Sequence, residues 1–199
     1  LSLYMIVQMI GIVSAQGVLA HGNPNGYSLF IIISILVSIS FAPILLSVSP
    51  TPAFERTKPM SLAQLFRSSP LGCVGMFLLG GVFSAQFGMS AVFGSQIGLS
   101  LSKISLFVAA FYIGAMIFQY PIGWMSDRMD RRLLILLISA SSAGGSVFAY
   151  FAGDYFFALV FAAFLVGGLS NPLYSLIIAH ANDFIEYEDM ASAAAGLLF

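Results

Sequence analysis

The chain has 199 residues, of which 59% are hydrophobic and only 8% are charged, and its formal net charge is −1. Soluble domains carry about 25% charged residues, so this composition excludes an ordinary water-facing surface and indicates that lipid is the outer solvent. The basic residues form only short clusters between apolar runs, which excludes a nucleic-acid-binding surface, and the single cysteine, Cys73, excludes an intrachain disulfide.

Apolar runs of about the length that crosses a bilayer recur along the whole chain. A helix needs roughly 20 residues to span the hydrocarbon core, and it satisfies its own backbone hydrogen bonds there. The complete runs are residues 1–20, 27–49, 71–93, 104–125, 133–152 and 155–179, and a truncated run begins near Ala191. The predicted fold class is therefore all-α, a polytopic transmembrane helix bundle with six complete spans and a truncated seventh.

The segments between the runs are polar and contain helix-breaking residues. Residues 21–26 have the composition of a tight turn, residues 98–103 offer serine N-caps for the next helix, and residues 153–154 form a minimal hairpin. Residues 50–70 are the longest separator and contain several prolines. We predict that this separator divides two helix bundles.

Basic residues are distributed unequally between the two sets of connecting segments. Lys103 lies in a segment on one side, and the other side holds Arg56, Lys58, Arg67, Arg128, Arg131 and Arg132. Because cytoplasmic loops carry the excess of lysine and arginine, we predict that residues 50–70, 126–132 and 181–190 are cytoplasmic in a multi-pass protein of the cell (plasma or inner) membrane. The acidic residues of the last segment carry little weight in this rule.

The densest charge cluster is the turn at residues 123–132, with the sequence GWMSDRMDRR. Its Asp127 places a carboxylate at a helix end, and a helix N-terminus carries roughly half a positive charge. This carboxylate can pair with a neighbouring N-terminus, or with an arginine of its own turn, in one conformation and lose the pair in another. The turn is therefore a candidate conformational latch. The alternative is a solvated basic turn that only fixes orientation.

The same turn resembles the signature loop of the major facilitator superfamily, in which glycine, three residues, Asp-Arg, one residue and glycine precede two basic residues. The matching positions are Gly123, Asp127, Arg128, Arg131 and Arg132. Asp130 stands where the family most often has glycine. The likeness also covers residues 112–114, 119–123, 167–168 and 171–174.

In that family the motif occurs twice, after the second and after the eighth of twelve helices. Four apolar runs precede it here, so the turn corresponds to the second copy. The resemblance implies that residues 1–49 are the last two helices of an N-terminal bundle, residues 50–70 the central cytoplasmic linker, and residues 71–199 an incomplete C-terminal bundle. It further implies a monomer that moves solutes by alternating access, with Asp127 facing the cytoplasmic end of the first helix.

Uncharged polar residues lie inside several runs, whereas the interior of each complete run lacks Asp, Glu, Lys and Arg. Charges in lipid are costly and usually functional, so we expect the main ion-coupling carboxylate outside this chain, with protons as the candidate coupling ion. Asp183 and Glu186 are expected to form a solvated connector, and the alternative is a contribution to ion coupling at the cytoplasmic mouth. The predicted lining of a substrate cavity is Gln8, Gln16, Gln86, Ser90, Tyr112, Gln119, Asn171 and Tyr174. The alternative for each is a hydrogen bond between helices.

Small residues four positions apart predict close helix packing. The pairs are Gly81/Ala85, Ala110/Gly114, Ser141/Gly145 and Ala163/Gly167.

The resulting functional prediction is a secondary active transporter of small amphipathic or weakly charged solutes of the drug or metabolite type. Its predicted partners are that solute and membrane lipid, and no nucleic acid. Two other classes stay open, a non-transporting membrane sensor on a transporter fold and a membrane-embedded enzyme. The sequence contains neither H-E-x-x-H nor G-x-S-x-G, so we predict no catalytic residues and no cofactor. The isolated His21 and His180 predict no metal site.

Overall fold

A computed structural model describes residues 2–23, 26–46, 61–153 and 155–185, together with residues 190, 193 and 196. In chain order the helices are α1 (Ser2–His21), α2 (Ser28–Ser40), α3 (Ala42–Leu46), α4 (Leu62–Ser68), α5 (Pro70–Ser84), α6 (Ser90–Gln96), α7 (Leu101–Ser126), α8 (Arg131–Ala152) and α9 (Phe156–Asn182). A π-helical segment, Ala85–Met89, joins α5 to α6 without interruption. The regular structure of the described residues is thus entirely helical, as the composition predicts.

Among the residues that the structure describes, four helical stretches are long and apolar enough to cross a membrane, and they support a membrane helix bundle. They are Pro70–Gln96, Leu101–Ser126, Arg131–Ala152 and Phe156–Asn182. Two further apolar helices are α1, with 20 residues, and α2, which with 13 residues is shorter than a full span. The expected total of six complete spans and a truncated seventh therefore stays a prediction.

The run expected over residues 27–49 is divided in the structure. α2 ends at Ser40, and α3 begins at Ala42 with Pro43 in its first turn. Proline is tolerated there because the N–H groups of a first turn make no hydrogen bond within the helix. Residues 47–60, which include most of the predicted linker, lie outside the described residues, as do residues 186–189 and most of the run from Ala191.

The closest packing in the bundle joins α7 to α9. A Cβ atom added at Gly114 would overlap the backbone carbonyl of Phe164, and one added at Gly167 would overlap the backbone of Phe111. The two helix backbones therefore touch, which only glycine permits at these positions. Of the predicted small-residue pairs, Ala110/Gly114 and Ala163/Gly167 lie in this interface.

The other two pairs behave differently. Gly145 packs against Val166 of α9, whereas its partner Ser141 is exposed. Gly81 and Ala85 are both exposed, and in the described part of the chain no side chain or neighbouring backbone lies within 4 Å of a Cβ built on Gly81. Small size at helical spacing therefore permits a close contact between helices but does not require one.

One end of the bundle carries most of the described basic residues, and we call it the charged end. α5 and α8 begin there, and α7 and α9 end there, because the chain reverses its direction between α7 and α8 and again between α8 and α9. Leu65 of α4 packs against Ala181 of α9 at the same end. Lys103 lies at the opposite end, 5.3 Å from the centre of the Phe156 ring. This asymmetry matches the distribution of basic residues between loops described above.

Candidate functional site

A cavity of about 480 Å³ lies between α1 and the helices α5, α7 and α9, and we call it the central cavity. Its lining residues are Met5, Gln8, Met9, Ile12, Phe83, Phe87, Tyr112, Asn171 and Tyr174. None of these side chains is charged. The volume falls in the range of roughly 300–1,000 Å³ that is typical of small-molecule sites.

Aromatic rings form one wall of the central cavity. The ring of Phe87 stacks on Phe83 with their centroids 5.1 Å apart, and on Tyr112 with the centroids 5.7 Å apart. On the facing helix, Asn171 donates from Nδ2 to the Gly167 carbonyl at 2.9 Å. An apolar wall with one phenol and a few amide groups suits a ligand that is mostly apolar and carries few hydrogen-bonding groups.

The structure brings together four of the eight polar residues predicted to line a substrate cavity: Gln8, Tyr112, Asn171 and Tyr174. Gln86 and Ser90 line a different pocket, next to α7, α8 and α9. Gln16 is half-buried on α1, about one turn beyond Ile12, the last residue of α1 that lines the central cavity.

Two of the predicted cavity residues make hydrogen bonds between helices. Gln86 donates from Nε2 to the Ser170 hydroxyl at 2.7 Å, and Gln119 donates from Nε2 to the Ser175 hydroxyl at 3.2 Å. Both glutamines are buried. This role is the alternative that the sequence leaves open for each polar residue, because an apolar helix does not reveal which of its faces meets a neighbour.

The signature turn borders a second pocket, of about 400 Å³, at the charged end. Gly123 and Asp127 of the turn line it, together with Ile6 of α1 and Arg131 of α8. Asp127 is the C-cap residue of α7. The carboxylate therefore borders the pocket where the end of α7 meets the first turns of α1.

Arg131 ties three helix ends together. Its Nε donates to the Ser126 hydroxyl of α7 at 3.2 Å, its Nη1 donates to the Ala179 carbonyl of α9 at 3.3 Å, and its guanidinium forms an ion pair with Asp183. The last carbonyls of a helix carry partial negative charge, so a cation is favourable at this position. Among the described residues this is the one ion pair between side chains, and Asp127 has no arginine partner there.

The contact between Asp183 and Arg131 is not predicted by the sequence analysis. We expected a solvated connector, and the carboxylate is indeed exposed, but it pairs with Arg131. The predicted hairpin at residues 153–154 offers a signal for this contact, because a hairpin makes the helices on either side of it antiparallel. An antiparallel helix pair places the start of its first helix and the end of its second at the same end of the bundle.

Of the remaining charged residues of the turn, Arg128 and Asp130 have local partners, whereas the Arg132 guanidinium lies 5.4 Å from the centre of the Phe184 ring. The Arg128 guanidinium lies 4.0 Å from the centre of the Trp124 ring and donates to the Trp124 carbonyl at 3.1 Å. Asp130 accepts from the backbone N–H of Arg132 at 2.7 Å and so caps the N-terminus of α8. The aspartate that replaces the more frequent glycine therefore stabilises the start of this helix.

Comparisons with known proteins agree with these features. The sequence profile described as "Major Facilitator Superfamily" matches residues 71–198. An uncharacterized MFS-type transporter of Yersinia pestis (strain Pestoides F) is 24% identical over 200 residues, which are 100% of this chain and 51% of that protein. The uncharacterized MFS-type transporter YfkF of Bacillus subtilis (strain 168) is 26% identical over 140 residues, covering 68% of this chain and 35% of that protein.

A further similar protein is the uncharacterized MFS-type transporter YcaD of Escherichia fergusonii, which is 21% identical over 204 residues. That alignment covers 100% of this chain and 51% of the relative. The chain thus spans about half the length of curated relatives that it matches from end to end. No solved structure matches the chain significantly.

Proposed function

Because this chain belongs to the major facilitator superfamily, we propose that it is part of a secondary active transporter that moves small solutes across a membrane by alternating access. The observation that carries this proposal is the central cavity of about 480 Å³ between α1 and the helices α5, α7 and α9. Its lining is aromatic and apolar, with Gln8, Tyr112, Asn171 and Tyr174 as polar groups and no charged side chain. This chemistry favours an amphipathic or weakly charged solute of the drug or metabolite type.

We propose that the central cavity lies between two bundles that rock against each other. Residues 1–49 would belong to the N-terminal bundle, residues 50–70 to the linker, and residues 71–199 to the C-terminal bundle. The start of the family match at residue 71 supports this division. Rocking of α1 against α7 and α9 would open the cavity first to one side of the membrane and then to the other.

The charged end is proposed to act as the latch of this movement. Asp127 borders the pocket next to α1, which is the contact that rocking would make and break. Arg131 joins α7, α8 and α9 through Ser126, Ala179 and Asp183, so these three helices would move as one body. We thus assign Asp127 to the contact with α1 that changes during transport, and Arg131 to the contacts among α7, α8 and α9 that stay formed.

The test is solute flux in inverted membrane vesicles that contain the full-length protein. The probes are a set of uncharged and weakly basic amphipathic fluorescent dyes, each measured with a proton gradient and after its collapse by a protonophore. We expect flux of at least one dye above the level of empty vesicles. If protons are the coupling ion, the protonophore should abolish this flux. Dye binding without flux would favour the sensor, and chemical conversion of a dye would favour an enzyme.

The proposed orientation has its own test. We propose that residues 50–70, 126–132 and 181–190 face the cytoplasm of a plasma or inner membrane, in a protein that works as a monomer. Met129→Cys in an otherwise cysteine-free full-length protein should react with a membrane-impermeant thiol reagent in inverted vesicles and not in intact cells. The reverse pattern would contradict this orientation.

A further inference from the structure

Two interruptions of regular α-helix lie next to each other across one helix interface. The first is the π-helical segment Ala85–Met89 in the middle of the stretch Pro70–Gln96, and the second is Pro172 inside α9. The hydrogen bond from Gln86 to Ser170 joins them directly, since Gln86 belongs to the π-helical segment and Ser170 lies two residues before the proline. The interruptions therefore lie at the same level of the bundle.

Side chains supply hydrogen bonds to the backbone at both interruptions. In the π-helical segment, the Ser90 hydroxyl donates to the Gln86 carbonyl. In α9, Pro172 has no N–H to donate to the Gly168 carbonyl, and Asn171 donates from its side chain to the neighbouring Gly167 carbonyl. Segments of this kind are the usual places where a helix bends, and π-helical turns are frequent at functional sites.

The bridge between the interruptions is buried but only partly satisfied. Gln86 is 6% exposed and Ser170 is 1% exposed, so water does not compete freely for this hydrogen bond. The Oε1 atom of Gln86 has no hydrogen-bond partner among the described residues. A buried amide that loses its one partner is costly, which favours conformations in which the two helices keep their contact.

Residues next to both interruptions line the central cavity. Phe83 and Phe87 flank the bridging Gln86 on one helix, and Asn171 follows Ser170 on the other. A change of bend in either helix would therefore move a wall of the cavity, and Phe87 would move relative to Tyr112, on which it stacks.

We propose that the Gln86–Ser170 hydrogen bond is a coupling element that makes the π-helical segment and the Pro172 interruption bend together. The two cavity walls that they carry then open and close as one unit. The use of this coupling in transport rests on the proposed function, whereas the coupling itself is a property of the helix pair. Gln86 acts in this proposal as a positioning residue and has no contact with solute.

The experiment is hydrogen–deuterium exchange, followed by mass spectrometry, on the purified full-length protein in lipid nanodiscs. Gln86→Leu should accelerate exchange in α9 over residues 168–176, and Ser170→Ala should accelerate exchange over residues 85–90. We expect about a threefold acceleration in the opposite helix, which corresponds to the average worth of one hydrogen bond between membrane helices. In the double variant, exchange should be no faster than in the single variants, because each substitution removes the same hydrogen bond.

The matched control is Gln96→Leu, the same substitution at an exposed position near the end of α6. It should leave residues 168–176 unchanged. Acceleration confined to the helix that carries the substitution, or equal effects of Gln86→Leu and Gln96→Leu, would overturn the coupling. If Gln86→Leu proves too unstable to purify, the smaller change Ser170→Ala decides alone. A failed flux assay would contradict the proposed function and leave this exchange result standing.

Discussion

Two of the contacts that α9 makes are of opposite character. Toward α7 its glycines touch the neighbouring backbone, and any added side-chain atom would displace a main chain. Toward α5 and the π-helical segment the described polar contact is one hydrogen bond between side chains, Gln86 to Ser170. Backbone contact leaves no room for relative movement, whereas a side-chain bridge tolerates rotation and bending. The same helix is therefore fixed on one side and adjustable on the other.

The largest effect is expected where the fixed contact is broken. Gly167→Leu would push a branched side chain into the backbone of Phe111. Overpacking costs typically about 1–3 kcal/mol, and more where main chain must move, so we expect most of the protein to be lost as aggregate. The measurement is the yield of monodisperse full-length protein in fluorescence-detected size-exclusion chromatography.

Gly144→Leu is the matched control, because a Cβ built on Gly144 of α8 has no close neighbour in the described structure. It should give a yield near that of the unchanged protein. Equal yields for Gly167→Leu and Gly144→Leu would mean that the α7–α9 contact is not the rigid part of the bundle.

The next effect concerns activity rather than folding. Asp127→Asn removes the carboxylate at the pocket between α1 and α7, and the interaction of a charge with a helix end is worth about 0.3–1 kcal/mol. We expect normal insertion and yield, with flux reduced about two- to fivefold by this amount of free energy. Asp130→Asn is the control, since asparagine also caps a helix. Unchanged flux in Asp127→Asn would contradict the proposed role of Asp127 as a conformational latch.

A smaller effect is expected from the ion pair at the charged end. The side chains of Arg131 and Asp183 are 28% and 46% exposed, so solvent screens the pair and we expect a coupling of at most about 1 kcal/mol. A double-mutant cycle with Arg131→Gln and Asp183→Asn, read by thermal unfolding in nanodiscs, measures this coupling. It should shrink as salt rises.

The control cycle pairs Arg128→Gln with Asp183→Asn, because Arg128 stacks on Trp124 instead. Its coupling should be close to zero. A coupling of similar size in both cycles would indicate general attraction between charges rather than the specific contact.

An effect of similar size is expected at the start of α8. Asp130→Ala removes the N-cap and should lower the free energy of unfolding by about 1 kcal/mol, whereas Asp130→Gly should cost only a few tenths of that. Thermal unfolding of the two variants under identical conditions makes the comparison. Glycine costing as much as alanine would indicate that the Asp130 side chain does more than cap the helix.

The sequence predicted some helices much better than others, for physical reasons. The runs expected at residues 104–125 and 133–152 correspond to α7 and α8 with small shifts at their ends, because charged or capping residues bound them. The run at 71–93 gave no sign of the π-helical segment. That segment is joined to α9 through Ser170, which is far away in the sequence.

The candidate site was half predictable for a related reason. Gln86 and Phe87 are neighbours in sequence, yet Phe87 lines the central cavity and Gln86 points to Ser170. A helix that is apolar all round carries no stripe that identifies its inner face, so packing decides which residues line a cavity. The Arg131–Asp183 pair likewise needed the relative placement of α8 and α9.

Alternating access to the central cavity is tested most directly by thiol labelling at Tyr174. Tyr174→Cys in an otherwise cysteine-free full-length protein is exposed to a membrane-impermeant thiol reagent, once in intact cells and once in inverted vesicles. The account predicts labelling from both faces, because the cavity opens to each in turn. Labelling from one face alone, under conditions in which Met129→Cys reports intact and correctly oriented membranes, would contradict it.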